Sequence, residues 1–203
     1  MPGRYFLHTP LAEIAEMFGC SPPLEDPGPR PDAAPGELVH AIVGGEGEPR
    51  RMVEMRWGMI PMGRVNARRR PVMETIINAR SETLFQKTAF LGVQHAILPV
   101  NGWYEWTGKT RRKNRWSLSS TEHPVLAFAA IWDVWKSPSG NEIASLATVT
   151  VDPSPEVKKI HHRMAAILPN EAWPIWLGEE KGDPEDLLRT WPGAIDIRES
   201  ALD

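Results

Sequence analysis

The sequence predicts a strand-rich α+β domain, and three observations carry that expectation. The chain has 203 residues, a length suited to one domain. Its centre is a succession of short apolar runs separated by turn and loop signals, which is the pattern of strands. Its helical signals are few and short.

Taken in order, Leu11 to Phe18 reads as a short amphipathic helix, because Leu11, Ile14, Ala15 and Phe18 fall on one face. Residues 21–36 contain six prolines and read as an irregular or extended loop. Leu38 to Val43 and Arg51 to Ile60 read as strands. Residues 61–71 form a basic loop, and Ile76-Ile77 leads into a strand end that turns into a helix at Asn78–Thr83. Ala96 to Val100 and Trp103 to Trp106 read as two strands of a hairpin about an Asn101-Gly102 turn. Lys109 to Arg115 is a basic loop tip. The stretches Arg115–Ser119, Val125–Trp132 and Ile143–Val151 complete the strand-rich centre. Pro155 to Ile160 reads as a short helix, and the last 35 residues as a peripheral helix with acidic tails. The expectation is a single domain over 1–203.

Apolar residues make up 41% of the chain and charged residues 24%, as in ordinary globular domains. There is no apolar run long enough for a transmembrane helix. The first ten residues, MPGRYFLHTP, do not read as a signal peptide, so the expected location is cytoplasmic, with nucleoid association in a bacterial cell. A single cysteine, Cys20, excludes an intrachain disulfide and a multi-cysteine metal site. No His pair has the spacing of metal ligands, so no metal and no cofactor are expected.

The net charge of −3 hides a segregation. Residues 50–116 hold fourteen basic and four acidic residues, a balance of +10, whereas residues 1–49 and 170–203 each carry −6. A basic segment on an acidic body suits an anionic ligand on one face, although a solvated basic surface has the same composition.

Three constellations carry chemistry. Glu105 lies among Trp103, Tyr104 and Trp106, surroundings that favour the neutral acid and suit a general acid or base; a solvent-facing strand Glu is the alternative. His161 and His162 are adjacent, so on a regular strand only one of them faces a given site, and a surface or capping pair is the commoner outcome. Asn78 and Arg80 lie in the basic third, where amide and guanidinium groups hold phosphates or orient a nucleophile.

Together these segments resemble the SRAP family of abasic-site processing proteins. The resemblance runs through Met1-Pro2-Gly3-Arg4-Tyr5, Arg56-Trp57-Gly58-Met59-Ile60-Pro61, Asn78-Ala79-Arg80-Ser81-Glu82-Thr83, Leu98-Pro99-Val100-Asn101-Gly102-Trp103-Tyr104-Glu105-Trp106, Ala129-Ala130-Ile131-Trp132 and His161-His162-Arg163-Met164-Ala165. It covers residues 1 to about 177, leaving 178–203 as an acidic C-terminal extension. The resemblance implies a mixed sheet with a barrel-like core flanked by short helices. It also implies binding of single-stranded or junction DNA that carries an abasic site, by a monomer with no membrane partner. In the family an N-terminal cysteine forms a Schiff base with the sugar aldehyde, and its thiol closes a stable thiazolidine crosslink. Carried over by position, Asn78 orients the N-terminal residue, Glu105 assists proton transfer and His161 promotes ring opening. Arg4, Arg80 and Arg163 match positions expected near phosphates. Trp57 matches an aromatic near the DNA, and Thr150 a threonine beside the active site.

The large departure is Pro2, which stands where the family has its cysteine. Pro2 has no thiol, so the stable ring is not available. Two readings follow. Either the Pro2 secondary amine, freed of Met1, forms an iminium with the aldehyde and acts as a lyase, with Glu105 or His161 as base. Or the chain is an inactive relative that binds single-stranded DNA. Asp32, Gly63 and Ala165 also depart from the family pattern and favour the second reading, whereas the intact trio Asn78, Glu105 and His161 favours the first. A separate peptidase role is set aside, since Met1 directly precedes Pro2.

Overall fold

In the computed structural model the described residues are 2–61, 75–109, 112–137 and 139–200. Strands run over Arg4–Leu7 (β1), Arg30–Ala33 (β2), Leu38–Gly45 (β3), Glu48–Trp57 (β4), Asn78–Arg80 (β5), Gln94–Val100 (β6), Gly102–Lys109 (β7), Arg112–Ser119 (β8), Leu126–Lys136 (β9), Glu142–Val151 (β10), Met164–Ala165 (β11) and Asp196–Ser200 (β12). Helices are short: Leu11–Phe18 (α1), Ser81–Leu84 (α2) and Trp173–Leu177 (α3).

Two sheets form. One is antiparallel, in the order β12-β8-β7-β1-β2. The other curls into a ring: β4-β3-β6-β9-β10 are neighbours, and β10 returns to β4 through the parallel pairs Ser145–Arg56 and Leu146–Trp57. The predicted strand-rich fold with a barrel-like core is therefore the observed one. Residues Leu126 to Trp132 of β9 are buried without a break, which explains why that segment reads as a continuous apolar run and not as an alternation. Trp57, Trp103, Trp176, Phe18 and Phe128 are the largest fully buried side chains of the core.

The ring seam positions the site. At Gly58, with φ of +118°, β4 turns away from β10. The edge of β10 that β4 vacates is taken up by β5, paired in parallel from Thr148–Asn78 to Thr150–Arg80. The chain then enters α2 immediately, as the sequence predicts for Asn78–Thr83.

Helix α1 buries the four expected residues. Pro10 has no side chain to cap it, and Asp26 supplies the missing acceptor, its Oδ2 taking a hydrogen bond from the Leu11 N–H at 2.9 Å. Phe18 at its far end stacks on Trp173, with centroids 4.1 Å apart.

The structure corrects four expectations. Asn101-Gly102 is not a hairpin turn, because β6 pairs with β3 and β9 while β7 pairs with β1 and β8. It is the corner where the chain changes sheets. Asn101 ties that corner: Oδ1 accepts from His8 N and Thr9 N, and Nδ2 donates to Thr9 Oγ1 and the Pro124 carbonyl. Gly102 is required for contact, since a Cβ there would lie 2.3 Å from the Leu118 carbonyl oxygen and 2.4 Å from Phe6 Cζ. Next, the proline-rich loop contains β2, an edge strand beside β1, where Pro31 costs no ladder bond. Finally, among the described residues the C-terminal stretch holds the five-residue helix α3, two 3-10 turns and β12, which pairs with β8 from Asp196–Ser119 to Ser200–Arg115. The expected helix over 155–160 is a single 3-10 turn at Val157–Lys159. Most of the basic loop, with Arg64, Arg68, Arg69 and Arg70, lies outside the described residues, as does Arg111.

Candidate active site

Asn78 opens β5 at the ring seam, and its side chain is held at both ends. Thr148, opposite it on β10 and fully buried, donates its hydroxyl to Asn78 Oδ1. With the oxygen thus occupied, Nδ2 points the other way and donates to the Pro2 carbonyl oxygen at 3.1 Å. Thr148 therefore sets which end of the amide faces the N-terminal residue. Sequence reasoning singled out Thr150 and missed Thr148; only the parallel β5–β10 register reveals it.

Glu105 arrives from the other sheet. Arg4 pairs with Tyr104 and Tyr5 with Trp103, so the antiparallel register, carried one residue further, sets Gly3 opposite Glu105. The Glu105 residue is only 3% exposed. Burial pushes its carboxyl up to about 7, against smaller downward pulls from the positive amino terminus and from Trp103. This is the raised pKa that the aromatic flanks predict, and it leaves the group poised between acid and base at neutral pH.

His161 follows the 3-10 turn after β10, its N–H bonded to the Val157 carbonyl. It is half-buried, whereas His162 is exposed. Its ring is held through Nδ1, which lies 3.0 Å from the Arg163 N–H and 3.1 Å from the Arg163 carbonyl oxygen. Burial lowers its pKa below the usual 6.5, with further lowering from the charge of the amino terminus. Asn78 is thus bonded to Pro2, and Glu105 stands across from Gly3, at the N-terminal end of β1.

A family model described as SOS response associated peptidase (SRAP) matches residues 1–199. The chain belongs to the SRAP family. Among curated SRAP relatives, Abasic site processing protein YoqW of Bacillus subtilis (strain 168) is 31% identical over 195 residues, covering 92% of this chain and 84% of that protein. Abasic site processing protein HMCES of Gallus gallus is 29% identical over 152 residues, which is 63% of this chain and 45% of that longer protein. The fold is also that of a solved Bordetella bronchiseptica protein, with a TM-score of 0.80 at 26% identity, covering 98% of this chain and all of that one.

The remaining positions carried over from the SRAP pattern fall into two groups. Arg4 and Arg80 reach the surface. Arg4 is paired with Asp32 at 3.0 Å, with both side chains about two-fifths exposed, and Arg80 is exposed. The other three point inward. Trp57 is 1% exposed and packs on Tyr5 at a centroid distance of 5.4 Å, so it has no open face on which a base could stack. Thr150 is fully buried and donates to the Ala79 carbonyl, tying β10 to β5. Arg163 is 6% exposed, and its guanidinium is spent on Glu82, Asp152 and the Thr150 carbonyl. Glu82 and Asp152 had no signal of their own in the sequence beyond the position of Glu82 in the motif at 78–83. Among the described residues no cluster of His, Cys, Asp and Glu forms a metal site, and no helix is long and apolar enough to cross a membrane.

Proposed function

We propose that this SRAP chain processes abasic sites in single-stranded or junction DNA, reacting with the sugar aldehyde through the Pro2 amine as a lyase. The observation that supports it is the hydrogen bond from Asn78 to the Pro2 carbonyl, with Glu105, whose pKa burial raises to about 7, across from Gly3. The relatives named abasic site processing proteins supply the substrate class.

Removal of Met1 makes the Pro2 nitrogen a secondary amine, with an α-amino pKa of about 8. Its lone pair adds to C1′ of the ring-opened sugar. Glu105, protonated in part at neutral pH, gives a proton to the carbinolamine oxygen, which leaves as water. The product is a cationic iminium. His161 then takes a proton from C2′, giving an enamine whose electron pair expels the 3′ phosphate by breaking the C3′–O bond. Water hydrolyses the remaining iminium and returns the free Pro2 amine. With no thiol at position 2, no thiazolidine forms, and the crosslink is transient.

The test uses protein whose loss of Met1 is verified by intact mass. Incubation with abasic single-stranded DNA and borohydride is expected to yield an adduct mapping to Pro2, and scission of the strand without borohydride. Absence of both, with binding to intact single strands, would leave the chain as a non-catalytic DNA-binding relative. The ion pair between Arg4 and Asp32 is the observation that favours this second reading, since it occupies a cation next to the N-terminal site.

A further inference from the structure

We propose that Glu82 and Arg163 are positioning residues for the His161 imidazole, with Arg163 acting inward on the histidine and not outward on a DNA phosphate. The proposal rests on the reading of His161 as the proton-transfer group of the site.

The geometry of Arg163 is that of an anchor. Its two terminal nitrogens bond both oxygens of Glu82, the second at 2.9 Å. The same nitrogens also donate to Asp152 Oδ1 at 3.0 Å and to the Thr150 carbonyl at 2.6 Å. A bidentate fork of this kind fixes direction as well as distance. A phosphate approaching from solvent would have to displace Glu82, whose carboxyl pKa is held below the usual carboxylate range by the bond to Arg163, so that it stays ionised at neutral pH.

The anchor fixes the main chain of Arg163, and that main chain is what holds His161. Both of its polar groups face one ring nitrogen: the N–H lies 3.0 Å from Nδ1 and the carbonyl oxygen 3.1 Å from it. When Nδ1 is unprotonated, the N–H donates to it. When Nδ1 carries a proton, it donates to the carbonyl. Either way the ring keeps its orientation, and proton exchange with a substrate is directed to Nε2. The other charged groups acting on His161 are the amino terminus and the neighbouring His162.

The arrangement also gives the motif at residues 78–83 two tasks. Asn78, on β5, bonds Pro2. Glu82, four residues on in α2, reaches Arg163 and through it His161. The short connection between strand and helix thus couples the nucleophile's holder to the histidine's holder. That explains an acid at position 82 in a segment otherwise expected to face a polyanion.

The two roles for Arg163 give opposite results in one experiment. Full-length, Met1-cleaved Arg163→Lys and Glu82→Gln proteins are compared with wild type by three measurements. These are the side-chain nitrogen NMR spectrum of His161 across pH, the rate of borohydride trapping on abasic single-stranded DNA, and affinity for an intact single strand at several salt concentrations. Arg163→Lys keeps the charge and loses the fork; Glu82→Gln keeps the volume and leaves Arg163 unclamped. Positioning predicts that in both variants the Nδ1 signal of His161 loses the shift of a nitrogen held in a hydrogen bond and its pH profile departs from that of wild type. Trapping slows by about tenfold or more, while affinity stays within about twofold and the salt dependence is unchanged. The proposal is overturned if the His161 spectrum and pH profile are those of wild type in both variants. It is equally overturned if Arg163→Lys weakens affinity for the intact single strand by about tenfold, as for a lost bidentate phosphate contact. If wild-type protein traps no abasic DNA, the lyase reading falls, and the His161 spectra alone decide whether Glu82 and Arg163 position the ring.

Discussion

Replacement of Glu105 by Gln should make the protein more stable, and increasingly so as pH rises. The carboxyl is 3% exposed and its pKa stands at about 7 in the folded chain, against 4.5 for the ordinary group. The folded state therefore binds more protons than the unfolded state between those values. Stability is full below about pH 4.5 and falls as pH rises to about 7, after which the loss is constant. At about 1.4 kcal/mol per pH unit the whole loss is about 3 kcal/mol. Gln has the size and hydrogen-bonding capacity of the protonated acid, carries no charge to desolvate, and escapes the loss. The measurement is urea unfolding of both proteins at pH 5 and pH 8.5. The advantage of Glu105→Gln should grow by about 2–3 kcal/mol between the two pH values, read from midpoints at equal slope. An advantage independent of pH would mean that Glu105 is ionised without cost in the folded protein. That would refute both the raised pKa and its use as an acid. The same substitution should slow trapping and remove the fall of the pH–rate profile on its high-pH side, because Glu105 gives its proton only while protonated.

Three further outcomes follow from the geometry. Thr148→Val keeps the shape of a buried residue but removes the hydroxyl that fixes the Asn78 amide. Borohydride trapping should fall by about tenfold or more, and an unchanged trapping rate would show that Asn78 is oriented by other means. Asp32→Asn releases Arg4 from its partner and should raise affinity for intact single-stranded DNA a few-fold at low salt, with the gain shrinking as salt increases; fluorescence anisotropy decides it. Gly102→Ala drives a Cβ into the Leu118 carbonyl and Phe6 and should cost about 2 kcal/mol or more in urea unfolding, whereas a freely adapting turn would tolerate it.

Much of the architecture was legible in the sequence because it rests on local patterns. The four apolar residues of α1 at helical spacing predicted both its limits and its buried face. The uninterrupted apolar run at the start of β9 reflects burial on both faces, and the turn from β5 into α2 was visible in the motif at 78–83. Asn101-Gly102 misled for a physical reason. A residue pair that suits a tight turn also suits a corner where the backbone must pass close to a neighbour, and local sequence does not say which strands flank it. The C-terminal strand was missed for a similar reason. Its two ends are polar and its pairing partner, β8, is some eighty residues away.

The site divides in the same way. Sequence by itself determined the residue types: a proline amine where the family pattern has a thiol, an acid among aromatic side chains, a histidine pair and an amide-bearing motif. It could not determine direction. Trp57, Thr150 and Arg163 share the motif positions of a DNA groove, yet each side chain turns inward. Which way a side chain points depends on register and on partners remote in the chain. The parallel pairing of β5 with β10 brought Thr148 to Asn78. The approach of α2 to the segment after β10 brought Glu82 to Arg163, which lies 81 residues further along the chain. Ion pairs and hydrogen bonds act over a few ångströms of space whatever the separation in sequence. Only the tertiary structure could show that the arginine expected to meet a phosphate already has its carboxylate.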